Sequence, residues 1–126
     1  MKHLYLFCLF LIASLSASLA HAATGQQLLN VCKDEVATGS LGVCAGYATA
    51  VYEAATAQTR TYRHMSPDER QLIRSRGTKI TCLPPDATAD QMEVVIVKLL
   101  FANAESLHLM AWDLVMKKLP DYFPCS

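Results

Sequence analysis

The sequence predicts an all-α domain of four main helices and one short basic helix, cross-linked by two disulfides. Three observations carry this expectation. Apolar residues recur at i, i+3, i+4 and i+7 along four segments. Serine, threonine, proline and glycine fall between those segments at positions suited to helix ends. No stretch longer than 79–82 reads as a strand. With 126 residues the chain is expected to form one domain. Hydrophobic residues make up 52%, and glycine and proline number only 5 each, which excludes a disordered or collagen-like chain. Eleven basic and 11 acidic side chains leave no net charge, so the footprint of a nucleic-acid partner is missing.

Residues 1–22 have the build of a secretory signal peptide. Lys2 and His3 form a short basic start, residues 4–19 are apolar apart from three serines, and Ala20-His21-Ala22 is an A-x-A cleavage site. Cleavage is expected after Ala22, with Ala20 as the alternative. The apolar run is short for a membrane span and no basic stop-transfer flank follows it, so a retained anchor is the weaker reading. Cys8 lies inside the run rather than after it, which disfavours a lipoprotein. The expected product is periplasmic, free of the membrane, and covers residues 23–126. Its apolar share drops to about 48%, ordinary for a globular domain.

Thr24 and Gln27 can form a capping box, and Leu28, Leu29, Cys32 and Val36 follow at helical spacing, giving a first helix over 25–36. Thr38-Gly39-Ser40 breaks it. Ser40 is placed to cap a second helix whose stripe is Cys44, Tyr47, Ala48, Val51, Tyr52 and Ala55. Small residues crowd this helix (Gly42, Ala45, Gly46, Ala50 and Ala54), which suggests close approach by a neighbour.

Residues 58–79 hold Arg60, Arg63, Arg70, Arg74, Arg76 and Lys79, six of the ten cations that follow the leader. Within them Ser66-Pro67-Asp68-Glu69 is a helix start and Gly77 a stop, so the segment reads as a short basic helix on a long connection. Pro84 and Pro85 close that connection. Thr88 and Gln91 repeat the capping box ahead of Met92, Val95, Ile96, Leu99 and Leu100, with Val94, Val97 and Phe101 widening the stripe. This third main helix is therefore expected to be the most buried. After a turn or kink at 103–106, Leu107, Met110, Ala111, Leu114 and Val115 mark the last helix, with Trp112, Met116 and Leu119 beside them. Pro120 is expected to end it, leaving Tyr122-Phe123-Pro124-Cys125 as a tail.

Removal of Cys8 with the leader leaves Cys32, Cys44, Cys82 and Cys125, and four cysteines in an exported small domain read as two disulfides with three possible pairings. No C-x-x-C pair exists, so zinc is disfavoured. Short connections make consecutive main helices antiparallel. Cys32 and Cys44 then share one end of a hairpin, and Cys82 and Cys125 share an end of the second pair. Cys32–Cys44 and Cys82–Cys125 are the favoured pairs, each contributing roughly 3–4 kcal/mol on a loop-entropy model.

Catalytic chemistry is not legible. His64 and His108 are the two histidines left after cleavage, and neither belongs to a G-x-S-x-G or H-E-x-x-H pattern. Glu53 and Asp113 are isolated carboxylates. Met65, Met92, Met110 and Met116 fit core filling better than copper binding. The expectation is a protein that is not an enzyme, with no catalytic residues, no metal and no cofactor.

A set of ordered motifs then points to a family. Gly25-Gln26-Gln27-Leu28-Leu29-Asn30-Val31-Cys32, Cys44-Ala45-Gly46-Tyr47, Cys82-Leu83-Pro84 and Phe123-Pro124-Cys125 occur in the order seen in the Rap/Tai immunity proteins. Residues 88–100 also resemble the family's helix before its final pair. The resemblance spans about residues 25–125. Ala50 stands where the family often has a second glycine, and Asn103-Ala104-Glu105 replaces a common His-Pro-Glu.

What the resemblance implies is a helical periplasmic homodimer that blocks the active-site cleft of a peptidoglycan amidase effector delivered by type VI secretion. Arg60, Arg63, His64, Arg70, Arg74 and Arg76 are the candidate partner-binding residues, since clustered cations would meet an acidic rim and speed encounter. A chain that is small, exported, helical and disulfide-bonded is also similar to the HdeA family of periplasmic acid-stress chaperones, which is the alternative. A binding module without a toxin partner is the third reading.

Overall fold

A computed structural model describes residues 23–38 and 42–126. The expected signal peptide over 1–22 and the expected Ser40 cap lie outside the described residues. The fold class is as expected: among the described residues there are five α-helices and no strand. No helix among them is long and apolar enough to cross a membrane.

Helix α1, Gly25–Thr38, begins at the Thr24–Gln27 capping box: the Gln27 N–H donates to Thr24 Oγ1 at 3.2 Å and the Thr24 N–H to Gln27 Oε1 at 2.9 Å. It runs to Thr38, whose hydroxyl turns back to the Asp34 carbonyl at 2.9 Å. Helix α2, Val43–His64, receives no side-chain cap from its own N-cap, Gly42. Glu35 of α1 supplies one instead, with both carboxylate oxygens 2.9 Å from the Cys44 N–H. A carboxylate there meets the positive end of the α2 dipole as well as an orphan donor.

The end of α2 corrects the sequence reading. Residues 58–64 belong to this helix rather than to a basic connection, so Arg60, Arg63 and His64 ride on its last turns. Nothing stops the helix earlier, because Thr59 and Tyr62 continue the buried stripe of Val51 and Ala55 and no glycine or proline intervenes before Pro67. Helix α3, Pro67–Ser75, starts at a complete capping box in which Ser66 and Glu69 exchange bonds of 2.7 and 3.3 Å. It buries none of its residues. Gly77 follows with φ 69°, a left-handed turn that suits a residue without a Cβ.

Helix α4, Ala89–Ala102, opens on the Thr88–Gln91 capping box and packs against α2, α1 and α5. Met92, Ile96, Leu99 and Leu100 are fully buried at its inner face. The expected wide stripe is narrower than that: Val94 and Phe101 are 54% and 55% exposed, and Lys33 of α1 lies 5.7 Å from the Phe101 ring centre. On α2 the expected close approach along the small residues is likewise redirected. Gly46 faces open space, and the buried alanines are Ala48 and Ala55.

A 3₁₀ turn, Ala104–Ser106, leads into helix α5, Ala111–Tyr122. Leu107 is buried ahead of that helix, and Met110 is its exposed N-cap rather than part of its stripe. The chain just before α5 is held by the N-terminal segment: the Gly25 N–H bonds to the Leu109 carbonyl at 2.9 Å and the Ala111 N–H to Ala23 at 2.8 Å. Pro120 sits inside α5 rather than ending it, buried, and the Phe123 N–H closes the last turn onto Leu119 at 3.1 Å.

Cys32 and Cys44 form a disulfide that is buried in the core between α1 and α2. Cys82 and Cys125 form the other, which ties the connection after α3 to the tail after α5. The Cys82 N–H also donates to the Phe123 carbonyl at 2.9 Å.

Tyr47 on α2 is set edge-on against Trp112 of α5, ring centres 6.1 Å apart. Its hydroxyl is buried without a partner, and burial together with the nearby Asp113 carboxylate pushes its pKa up to about 12. Between pH 10 and 12 the unfolded chain releases a proton that the folded one retains, so stability falls as pH rises through that window. Tyr47→Phe is expected to keep the core packing, leave stability at pH 7 unchanged or raise it by up to about 1 kcal/mol, and flatten the alkaline loss. Urea midpoints of both proteins at pH 7 and 11 check this; a Phe variant at least about 1 kcal/mol less stable at pH 7 would show that the hydroxyl has a partner.

A cationic face built around Tyr62

The sequence-derived candidates converge on the C-terminal end of α2, and Tyr62 organises them. Its ring is almost fully buried at 6% exposure, the last position of the α2 stripe. The Arg70 guanidinium of α3 lies over that ring at 5.2 Å, donates from Nε to the Tyr62 carbonyl at 3.2 Å and from a terminal nitrogen to the Arg63 carbonyl at 2.9 Å. Those carbonyls belong to the last turn of α2, where the dipole favours a cation; the Tyr62 carbonyl also accepts the N–H of the C-cap Met65 at 3.2 Å. Arg70 therefore caps α2 from the neighbouring helix. Arg74, one turn further along α3, donates to the Tyr62 hydroxyl at 2.8 Å, and that hydroxyl lies 3.4 Å from the Ser126 carbonyl.

A second wall comes from the connection between α3 and α4. Thr59 Oγ1, buried on α2, donates to the Ala55 carbonyl at 2.8 Å and accepts the Leu83 N–H at 2.8 Å. Gln58 accepts the Thr81 N–H at 3.3 Å, and Arg63 reaches the Leu83 carbonyl at 3.4 Å. Residues 81–83 are thus pinned along α2, with the Cys82–Cys125 disulfide behind them. Thr59→Val keeps the volume but leaves the buried Leu83 N–H without its acceptor. A loss of about 1–3 kcal/mol is expected in chemical denaturation, and a change below about 0.5 would mean that the segment relaxes freely.

Two open grooves result. One, of about 330 Å³, runs between Tyr52, Arg60, Arg63 and His64 on α2 and Leu83, Pro84 and Pro85 opposite. The other, of about 350 Å³, is bordered by Tyr62, Arg63, Arg70, Leu83 and Pro84. Arg63, Leu83 and Pro84 border both. Arg70 and Arg74 also flank a shallow depression with Pro67 and Gln71. Arg76 borders none of these; it is the C-cap of α3 and exposed to solvent.

The face is electrostatically one-sided. Among the described residues the one ion pair is Lys79–Asp121, at the surface, where it holds the Asp121 carboxyl below its ordinary range. Among the same described residues, none of Arg60, Arg63, Arg70, Arg74 and Arg76 meets a carboxylate. On α3 the Glu69 carboxylate accepts the Ser66 N–H, which lowers its pKa.

The sequence pattern does not point to Tyr62, Leu83 and Pro84 as parts of this face; Tyr52, expected on the α2 core stripe, packs against the core as expected and lines the first groove as well. The one signal available was the continuation of the α2 stripe at i+3 and i+4 through Thr59 and Tyr62. Elsewhere, Glu35, Cys44 and Glu93 lie close together, but the Cys44 sulfur is bonded to Cys32 and Glu35 caps α2. His64 and His108 are both exposed.

A family model described as Rap1a immunity proteins matches residues 24–125. No curated protein and no solved structure matches the chain.

Proposed function

This chain belongs to the Rap1a immunity protein family, and from that membership we propose that it protects its cell against a type VI secretion effector that cuts peptidoglycan amide bonds, binding the effector in the periplasm and covering its active site. Immunity by binding a cognate effector is the family's role. The amidase target and the blocking mode rest on the ordered motifs around the four cysteines together with the face described above.

The observation that best supports a binding role is the set of five arginines with no carboxylate partner, three of them fixed to backbone carbonyls or to Tyr62. Cations kept in place without a partner within the fold favour an acidic surface on another protein, and they raise the rate of encounter with it. Arg60, Arg63, His64, Arg70 and Arg74 form the contact, with Arg76 at its edge. The acid-stress chaperone alternative is not carried forward, because the family match covers nearly the whole of residues 23–126.

The protein acts as a homodimer. Val94 and Phe101, exposed two turns apart on α4, supply an apolar face for the second copy. Replacing both with aspartate is expected to give a monomer in sedimentation velocity; an unchanged dimer would put the contact elsewhere.

Localisation is tested by expressing the exported effector amidase in cells that carry either the full chain or a version without residues 2–22. Only the full chain is expected to prevent lysis. Equal protection by a leaderless protein would contradict a periplasmic site of action.

A further inference from the structure

We propose that the groove between Arg63 and Arg70 is a reader for a single carboxylate, carried by an acidic residue followed by an apolar one in an extended segment of the effector. The proposal rests on the immunity reading for the identity of the partner, and on the groove alone for its chemistry.

Arg63 and Arg70 come from different helices and border the same groove of about 350 Å³. Each is anchored from one side. Arg70 spends Nε and one terminal nitrogen on the Tyr62 and Arg63 carbonyls, and its plane is held over the Tyr62 ring. Arg63 spends one terminal nitrogen on the Leu83 carbonyl. Both keep N–H donors that no group among the described residues accepts, on guanidiniums whose freedom is already reduced. Holding them in place before the ligand arrives lowers the ordering cost of binding. Two like charges bordering one groove also repel, and one anion between them relieves that repulsion.

The shape of the groove selects the anion. Beside Tyr62, Cys82 and Ser126, the rest of its lining is Leu83, Pro84 and Pro124, an apolar wall without side-chain donors. A carboxylate has two oxygens, one for each arginine, and its methylenes can lie on that wall. A phosphate would leave a charged oxygen facing leucine and proline, which costs desolvation without a hydrogen bond. The neighbouring groove continues past Arg63 and Leu83 toward Tyr52, Thr56 and Pro85, so an extended segment has room for an apolar side chain next to the acid. The Ser126 oxygen in this region is engaged with the Tyr62 hydroxyl at 3.4 Å and not with either arginine.

The test uses the exported, oxidised protein and follows the arginine Nε–Hε resonances while acetyl-Glu-Leu-amide, acetyl-Gln-Leu-amide or inorganic phosphate is added at constant ionic strength. The glutamate peptide is expected to shift Arg63 and Arg70, and to bind about tenfold or more tightly than the glutamine peptide and than phosphate. Arg70→Lys keeps the charge but loses the fork, and is expected to weaken the glutamate peptide by about fivefold or more. Equal binding of the two peptides, phosphate binding as tight as the glutamate peptide, or an Arg70→Lys protein that binds like the parent would each overturn the proposal. No effector is used, so a failed titration leaves the immunity function standing, and an effector that does not bind leaves the carboxylate reader standing.

Discussion

Replacing Cys32 and Cys44 together by alanine is expected to lower folding stability by about 3–5 kcal/mol, measured by urea unfolding at pH 7 under oxidising conditions. The bridge closes a loop of sequence separation 12, for which loop entropy alone contributes roughly 3 kcal/mol. Both cysteines are in addition buried at 0% and 1% exposure between α1 and α2, so losing the sulfurs also opens space in the core. Against a total of roughly 5–15 kcal/mol for such a domain, this change removes a large part of the margin. A loss under about 1 kcal/mol would mean that α1 and α2 hold their hairpin without the bridge.

The Cys82–Cys125 bridge closes a much longer loop, with separation 43, yet both its cysteines are only half-buried. Its removal is expected to act on function beyond stability, because it pins the segment that carries Leu83 and Pro84 into the cationic face.

The second large effect concerns the arginines. Changing Arg63, Arg70 and Arg74 together to glutamine is expected to weaken effector binding by about 100-fold or more at low ionic strength, with the parent's advantage shrinking as salt rises. Loss of the Arg70 and Arg74 contacts to the end of α2 also costs some stability, so helicity and the urea midpoint of the variant must be read alongside. Surface charge pairs elsewhere do not have such reach: the exposed Lys79–Asp121 pair sits in water, where Lys79→Ala should move stability by less than about 1 kcal/mol. Affinity that is unchanged in the triple variant at low salt would remove this face from the interface.

How much of this was legible in the sequence follows from where each signal lives. The capping boxes at Thr24, Ser66 and Thr88 are local, three residues apart, and all three appear in the fold. The buried stripes of α1 and α4 follow the helical period and were readable for the same reason. The end of α2 is not, because clustered arginines suit a connection and a solvent-facing helical surface equally well. Proline at position 120 suggests a stop, whereas near the end of α5 its missing N–H costs one bond and the residue is buried.

The cationic face is the least legible part. Its geometry depends on contacts between residues 8, 12 and 20 positions apart: Arg70 on the Tyr62 carbonyl, Arg74 on the Tyr62 hydroxyl, and Arg63 on the Leu83 carbonyl. No periodicity encodes a guanidinium bonded to a helix-end carbonyl. The charge cluster announced cations in this stretch of chain, and only the fold shows that Arg63 and Arg70 share a groove while Arg76 stands apart.

The claim at the centre is that this face neutralises a peptidoglycan amidase. It is tested most directly by titrating the oxidised protein into the purified effector of the same cell and following amide-bond cleavage of peptidoglycan. Cleavage is expected to stop near one equivalent of protomer, and the Arg63, Arg70 and Arg74 triple glutamine variant is expected to need about 100-fold more protein or to fail. Undiminished cleavage in the presence of excess parent protein would contradict it.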